Sequence, residues 1–162
     1  MNVEFDHLGN LRPYKKVTMN LLEFESNFVK PFDEYSSRHS IFENYRRYIS
    51  DFQEQVASEF THWINGSFVS NKENPKDIDF VNIVDSETVL MKKELIESNF
   101  INAGVLKNYQ IDAYLLIKYP DVHQRYIRTQ TDLLYWNDWF TKTKMNNLRK
   151  RFPKGFVEIK FN

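Results

Sequence analysis

The chain has 162 residues, of which 41% are hydrophobic and 16% aromatic, a composition that supports one packed domain and excludes an unfolded chain. Lys and Arg total 22 and so do Asp and Glu, so no net charge draws the protein to nucleic acid or to an anionic membrane. Cysteine is absent, which excludes disulfides, thiolate zinc sites and thiol nucleophiles and suits a reducing cytoplasm.

In chain order, the first half is predicted to be an arm followed by two helices. Residues 1–17 lack the basic-then-apolar layout of a signal peptide and contain turn residues, so we expect an extended arm. A short helix is predicted from Thr18 to about Val29, ended by Pro31. A longer helix follows Ser36, because apolar residues recur there every three or four positions: Ile41, Tyr45, Tyr48, Phe52, Val56 and Phe60.

The second half is predicted to alternate strands and helices. The segments are a strand at 62–65, a polar loop at 70–76, a strand at 77–84, a helix at 86–100, a strand at 109–117, a helical region at 121–140, a basic loop at 141–155 and a strand at 156–161. No linker or repeat divides residues 1–162, and no apolar run reaches membrane-spanning length. We therefore expect a single α+β (α/β-like) domain with a mixed central sheet flanked by helices.

Three aspartates are the candidate metal ligands. Asp77 and Asp79 are two positions apart on a predicted strand, so their carboxylates point to the same face. Asp112 is the only acid within the most apolar predicted strand, and a buried carboxylate without a partner is costly. If the two strands are neighbours, Mg²⁺ or Mn²⁺ would satisfy all three acids, since such cations prefer oxygen ligands.

A small-residue turn is the candidate phosphate-binding element. Gly66 allows the backbone to approach a phosphate, and Ser67 offers a hydroxyl donor just after a predicted strand. Lys72, in the following loop, is a further candidate for contact with a triphosphate. Arg125 and Arg128 lie one helical turn apart and either contact phosphate or form a charged outer face.

The histidines and the basic loop give no comparable signal. The four histidines lack metal-ligand spacing, which argues against zinc, and His62 is expected at a strand edge. Basic residues of the 141–155 loop are expected to be solvated, because no aromatic residues alternate with them as single-stranded nucleic acid would require. Nucleic acid is therefore not expected as a partner.

The Gly66-Ser67 pair, nine intervening residues and then Asp77-Ile78-Asp79 resemble the signature of the DNA polymerase β-like nucleotidyltransferase superfamily. The segment GSFVSNKENPKDIDFV resembles the GSFVT…P.DID core of a family of short bacterial and phage proteins of unknown function. That family shares two further segments, whose counterparts here are Gly9–Pro13 and the C-terminal residues 135–140 and 154–159.

The superfamily resemblance implies a nucleotidyltransferase fold and a role for each candidate. Asp77, Asp79 and Asp112 would be catalytic metal ligands, with Asp112 alternatively a base, while Gly66 and Ser67 would bind the nucleotide. The implied reaction moves a nucleoside monophosphate from an NTP to a hydroxyl of a protein or small molecule, in an antitoxin-like or phage-defence setting. The alternative is a catalytically inactive protein of the same fold that binds a partner, such as a toxin, as an antitoxin or regulatory module.

Overall fold

Helix boundaries follow from capping residues in the sequence. The computed structural model describes residues 2–162, apart from the side chains of Lys107 and Asn108. Helix α1 (Leu21–Phe28) begins at a capping box, in which Asn20 Oδ1 accepts from the Glu23 N–H and the Glu23 carboxylate accepts from the Asn20 N–H. Ser36 caps α2 (Ser37–Gln55), whose apolar face is buried as the sequence periodicity predicts.

Five strands form one mixed sheet in the order β3-β7-β4-β5-β6. The strands are β3 (Lys16–Thr18), β4 (Phe60–Asn65), β5 (Ile78–Asp85), β6 (Ile111–Lys118) and β7 (Phe156–Phe161). The outer pairs β3-β7 and β5-β6 are parallel, and the inner pairs β7-β4 and β4-β5 are antiparallel. The predicted single α+β domain with a mixed sheet is therefore confirmed.

The N-terminal arm is more ordered than an extended segment. Its strands β1 (Glu4–Phe5) and β2 (Leu11–Arg12) pair antiparallel, and the chain then enters the main sheet at β3. The arm reaches two distant segments, because the Asn71 N–H donates to the Gly9 carbonyl at 3.1 Å and the Gly155 N–H donates to the Leu11 carbonyl at 2.7 Å. The arm thus joins the loop after β4 to the start of β7.

The region between β5 and β6 differs from the prediction of one helix. Asp85 caps α3 (Ser86–Leu95), which continues into a π-helical turn (Ile96–Phe100) and then into α4 (Asn102–Tyr109), a helix that sequence analysis missed. Gly104 explains the close packing here, because a Cβ at this position would overlap the Ser98 carbonyl oxygen. The short, Asn- and Gly-containing segment gave no helical periodicity of its own.

The sheet has two unlike faces. One face carries the large core, formed with α1, α2 and α4 from residues such as Ile64, Phe80 and Ile159. The other face, here called the α5 face, is covered in part by α5 (Tyr126–Phe140) through Leu133, Trp136 and Phe140. These side chains pack on the apolar strand residues of the same face, namely Trp63, Val81, Ile83, Leu116 and Phe156. The remaining end of the α5 face holds polar residues.

His62 is not at a strand edge, and that prediction is wrong. It is fully buried on β4, the central strand, and its Nδ1 is 2.7 Å from the Tyr45 hydroxyl. Burial lowers the pKa of His62 to about 3, so the imidazole is neutral. It lies on the large-core face between Phe80 and Phe161, which makes it a core residue.

Candidate functional site

Three oxygen-bearing side chains lie in one row across the α5 face. In the antiparallel pair, Asn65 of β4 is the register partner of Asp79 of β5, and in the parallel pair Asp79 is the register partner of Asp112 of β6. Register partners place their side chains on the same face, about 5 Å apart between neighbouring strands. The adjacency on which the three-aspartate prediction depended is therefore present, with Asp77 immediately before β5.

The main chain of Gly66 packs directly against the Asp79 carboxylate. Its φ of +76° is the left-handed conformation that side-chain-bearing residues rarely adopt. A Cβ on Gly66 would overlap Oδ2 of Asp79, so the carboxylate fits against the backbone only because the residue is glycine. The turn that follows β4 and the first residues of β5 thus form one compact unit, which joins the predicted phosphate-binding turn to the predicted metal ligand.

Arg38 organises the turn that contains Ser67. This arginine is 0% exposed, and its guanidinium makes six hydrogen bonds to main-chain carbonyls. The acceptors are the carbonyls of Phe28, Ser67, Phe68, Ser70 and Lys72. Because a trans peptide directs its N–H opposite to its carbonyl, the N–H groups that follow Ser67 and Phe68 point away from the guanidinium. Burial lowers the pKa of Arg38 to about 10, which still leaves it charged at neutral pH.

Within the row of Asn65, Asp79 and Asp112, the Asp79 carboxyl group has a shifted pKa. Loss of solvent raises the pKa of Asp79 to about 6, and the nearby charges of Asp77 and Asp112 add to the effect. The ammonium groups of Lys144 and Lys154 act in the opposite direction. The protein therefore holds three carboxylates close enough to repel one another, a cost that a bound cation would remove.

Asp112 has a hydroxyl partner on its own strand. The Tyr114 hydroxyl donates to Asp112 Oδ2 at 2.9 Å, and the Tyr114 ring lies 5.1 Å from the Trp136 ring of α5. Burial, and then the hydrogen bond and charge of Asp112, raise the pKa of Tyr114 to about 12. Tyr114 therefore remains a donor at neutral pH and orients one oxygen of Asp112, while α5 borders the site through Trp136.

The donor set suits a hard divalent cation without enclosing one. Asn65 adds a neutral oxygen to the carboxylates: it is 7% exposed, and its Oδ1 is buried without a hydrogen-bond partner. Among residues 2–162, Lys107 and Asn108 side chains aside, no group of three or more His, Cys, Asp or Glu side chains could hold a metal ion as it stands. Mg²⁺ commonly takes only one or two protein carboxylates and completes its shell with water and substrate phosphates, so the oxygen donors present fit such an ion.

The other predicted phosphate contacts are one lysine next to the turn and two arginines at a separate cavity. The side chain of Lys72 is exposed. Its carbonyl accepts from the Arg38 guanidinium, and its N–H donates to the Ser70 hydroxyl. Arg125 and Arg128 border a separate cavity of about 600 Å³ at the edge of β6, lined by Leu115 and Ile117 of the opposite face. The cations whose fields reach Asp79 come instead from the 141–155 loop.

Sequence reasoning missed four residues of this region: Arg38, Asn65, Tyr114 and Lys154. Arg38 had a readable signal, because it lies three residues before Ile41 and seven before Tyr45 on the apolar face of α2. An arginine on such a face needs acceptors. Lys154 was expected to be solvated with its loop and is instead half-buried. Only the fold brings it near β5, so no local pattern could have found it.

These features define a small α+β domain with an oxygen-rich site at the open end of one sheet face. The chain belongs to a family of unknown function, DUF6932, whose model matches residues 3–160. No curated protein and no solved structure shows a significant match to the chain. Within the described residues, no helix combines the length and apolar character required to cross a lipid bilayer.

Proposed function

We propose that this protein is a metal-dependent nucleotidyltransferase that moves a nucleoside monophosphate from an NTP to a hydroxyl of a protein or small molecule. The observation that carries the proposal is the in-register pair Asp79 and Asp112 beside the left-handed turn at Gly66. Carboxylates next to a tight small-residue turn are the combination that triphosphate chemistry requires, since one part holds cations and the other approaches phosphate oxygens.

Each residue has a defined part in the proposed reaction. The acceptor hydroxyl oxygen forms a bond to the α-phosphorus, the bond from that phosphorus to the bridging oxygen breaks, and pyrophosphate leaves. Asp112 takes the hydroxyl proton, with its carboxylate oriented by the Tyr114 hydroxyl. Gly66 and Ser67 bind the triphosphate through main-chain N–H groups and the Ser67 hydroxyl. Asp77 and Asp79 would hold a divalent cation, which neutralises triphosphate charge when bound.

The turn is prepared for this role before any ligand arrives. Arg38 fixes its carbonyls on the inner side, and its hydrogen bonds to Phe68 and Ser70 measure 2.7 and 2.8 Å. A turn whose carbonyls face inward presents fewer negative dipoles to an anion. The same contacts mean that little ordering is required on binding, which lowers the entropic cost of recognition.

The test is nucleotide binding followed by label transfer. Purified protein is titrated with each of the four NTPs in the presence of Mg²⁺ or Mn²⁺, and then incubated with α-phosphate-labelled NTPs and candidate acceptors, including a toxin-like partner protein. We expect binding of at least one NTP, lost in Asp79→Asn; Asp112→Asn should lose label transfer, and Asp121→Asn, an exposed matched control, should retain both binding and transfer. Failure of the wild-type protein to bind any NTP would refute the proposal.

A second candidate function is partner binding without catalysis, and it is favoured by the outer side of α5. Large apolar side chains are exposed there, namely Ile127 (68%), Leu134 (72%), Tyr135 (58%) and Trp139 (41%). Exposed apolar surface of this kind often marks a protein interface. A stable complex that survives the combined loss of Asp77, Asp79 and Asp112 would support this function over the enzymatic one.

A further inference from the structure

The basic loop 141–155 closes back on the open end of the α5 face. It begins where α5 ends and finishes where β7 starts, and its two ends are tied together by hydrogen bonds. The Lys154 N–H donates to the Thr141 carbonyl at 2.9 Å, and the Thr143 N–H donates to the Phe152 carbonyl at 2.8 Å. Strand register places this end of the loop at the site: Val157 of β7 is the partner of Ile64 of β4, so the residues just before β7 lie at the end of the sheet where Asn65 is paired with Asp79. The charges of Lys144 and Lys154 accordingly act on Asp79.

Lys154 is held in place by its main chain rather than by its side chain. The next residue, Gly155, donates to the Leu11 carbonyl at 2.7 Å, and a Cβ there would overlap the Pro13 carbonyl oxygen. In contrast, Nζ of Lys154 makes no hydrogen bond and no ion pair within 4.0 Å to any residue of the described part of the chain. Lys154 is thus a half-buried residue whose ammonium group has no protein partner.

Such an ammonium group is costly to the folded protein alone. Loss of solvent lowers the pKa of Lys154 to about 8; the charge of Asp79 opposes this shift and that of Lys144 adds to it. A second polar group in the same region is also without a partner, since Oδ1 of Asn65 is buried and unbonded. Two unsatisfied groups of opposite polarity beside the carboxylates indicate a ligand that carries both cationic and anionic parts, as a metal–triphosphate does.

Building on the proposed function, we infer that Lys154 binds the triphosphate of the nucleotide together with the Gly66-Ser67 turn. An ammonium group serves phosphate as a mobile point charge with three donors. It is needed here because a triphosphate placed beside three carboxylates would otherwise be repelled. Lys154 would thus be a second cationic contact, in addition to the one predicted for the exposed Lys72.

The experiment compares Lys154→Met with Lys160→Met, a matched control at an exposed lysine of β7, the strand that follows the loop. Binding of nonhydrolysable analogues of the four NTPs is measured by calorimetry with Mg²⁺ present, and thermal unfolding is measured without nucleotide. We expect Lys154→Met to weaken binding roughly 10- to 100-fold, and Lys154→Arg to weaken it only a few-fold. The unfolding midpoint of Lys154→Met should be unchanged or raised, because methionine fills the stem without an unpaired charge.

The outcomes separate this inference from the proposed function. Wild-type protein that binds no analogue overturns both. Wild-type binding that Lys154→Met leaves unchanged overturns only the inference about Lys154. A midpoint that falls sharply in Lys154→Met together with undiminished binding by Lys154→Gln also overturns it, because the lysine would then be structural.

Discussion

Replacing Asp79 by asparagine should stabilise the protein while removing its proposed activity. The pKa of Asp79 is raised from 3.8 to about 6, first by burial and then by Asp77 and Asp112. The folded protein therefore binds this proton more tightly than the unfolded chain does. Its stabilising effect is complete below about pH 4 and is lost as the pH rises through 6. Above pH 6 the ionised carboxylate opposes folding.

The size of the effect follows from the pKa difference. One pKa unit corresponds to about 1.4 kcal/mol, so the shift from 3.8 to about 6 corresponds to about 3 kcal/mol at pH 8. Partial solvent access reduces this, and we expect Asp79→Asn to raise the free energy of unfolding by about 2 kcal/mol. For a chain of this size, about 2 kcal/mol raises the unfolding midpoint by roughly 4 to 8 °C.

The assay is thermal unfolding of wild type, Asp79→Asn and the exposed control Asp121→Asn between pH 4 and pH 8. The advantage of Asp79→Asn should appear between pH 4 and pH 6 and then level off, while Asp121→Asn follows the wild type. Added Mg²⁺ should raise the midpoint of the wild type but not that of Asp79→Asn. Equal midpoints of wild type and Asp79→Asn at pH 8, or a difference that persists undiminished at pH 4, would refute the reasoning.

Three further substitutions test the surroundings of the row. Gly66→Ala should lower the free energy of unfolding by about 1 to 2 kcal/mol because of its positive φ, and it should displace Asp79. In a double-mutant cycle measured by denaturation, adding Asp79→Ala to Gly66→Ala should recover part of this loss. Strictly additive effects would contradict the predicted overlap between the new Cβ and the Asp79 carboxylate. Arg38→Lys should cost about 3 kcal/mol or more in urea unfolding, because lysine cannot satisfy the five carbonyls that the guanidinium binds; a loss below about 1 kcal/mol would contradict this role. Asn65→Leu should raise the free energy of unfolding by about 1 kcal/mol by removing a buried unpaired oxygen, and a clear loss of stability would indicate a partner for that oxygen.

The elements with strong periodicity were predictable from sequence. The apolar runs of β5 and β6 placed each strand within two residues of its observed bounds, and the apolar repeat of α2 placed its start. The predicted repeat ran on to Phe60, whereas the helix ends at Gln55 and Phe60 begins β4. The neighbouring placement of Asp79 and Asp112 was a condition of the metal-site prediction, and strand pairing met it. Pairing of these strands is a long-range property that depends on the whole sheet, so the sequence made the acids noticeable without fixing their distance.

The sequence could not predict that the 141–155 loop lies next to the site. Lys154 is more than seventy residues from Asp79, and its position depends on Gly155 packing against the N-terminal arm at Leu11 and Pro13. A lysine in a basic loop has the same local pattern whether it is solvated or turned inward. The helix α4 was missed for a related reason, because its packing against the preceding π-helical turn replaces local propensity as its source of stability.

The polar groups at the open end of the α5 face support the proposal that a ligand binds there. The buried charged side chains Glu158 and Arg38 have partners: Glu158 accepts from Trp63 Nε1 at 2.8 Å and from Lys16 at 2.8 Å, and the Arg38 guanidinium donates to main-chain carbonyls. His62 Nε2 is also without a partner, but a neutral ring among phenyl groups bears a modest cost. Asn65 Oδ1, by contrast, is unpaired in the same row as the destabilised carboxylate of Asp79. An unpaired buried oxygen next to a carboxylate that burial destabilises is costly to the protein alone, and the presence of both in one row is the physical ground for proposing a ligand there.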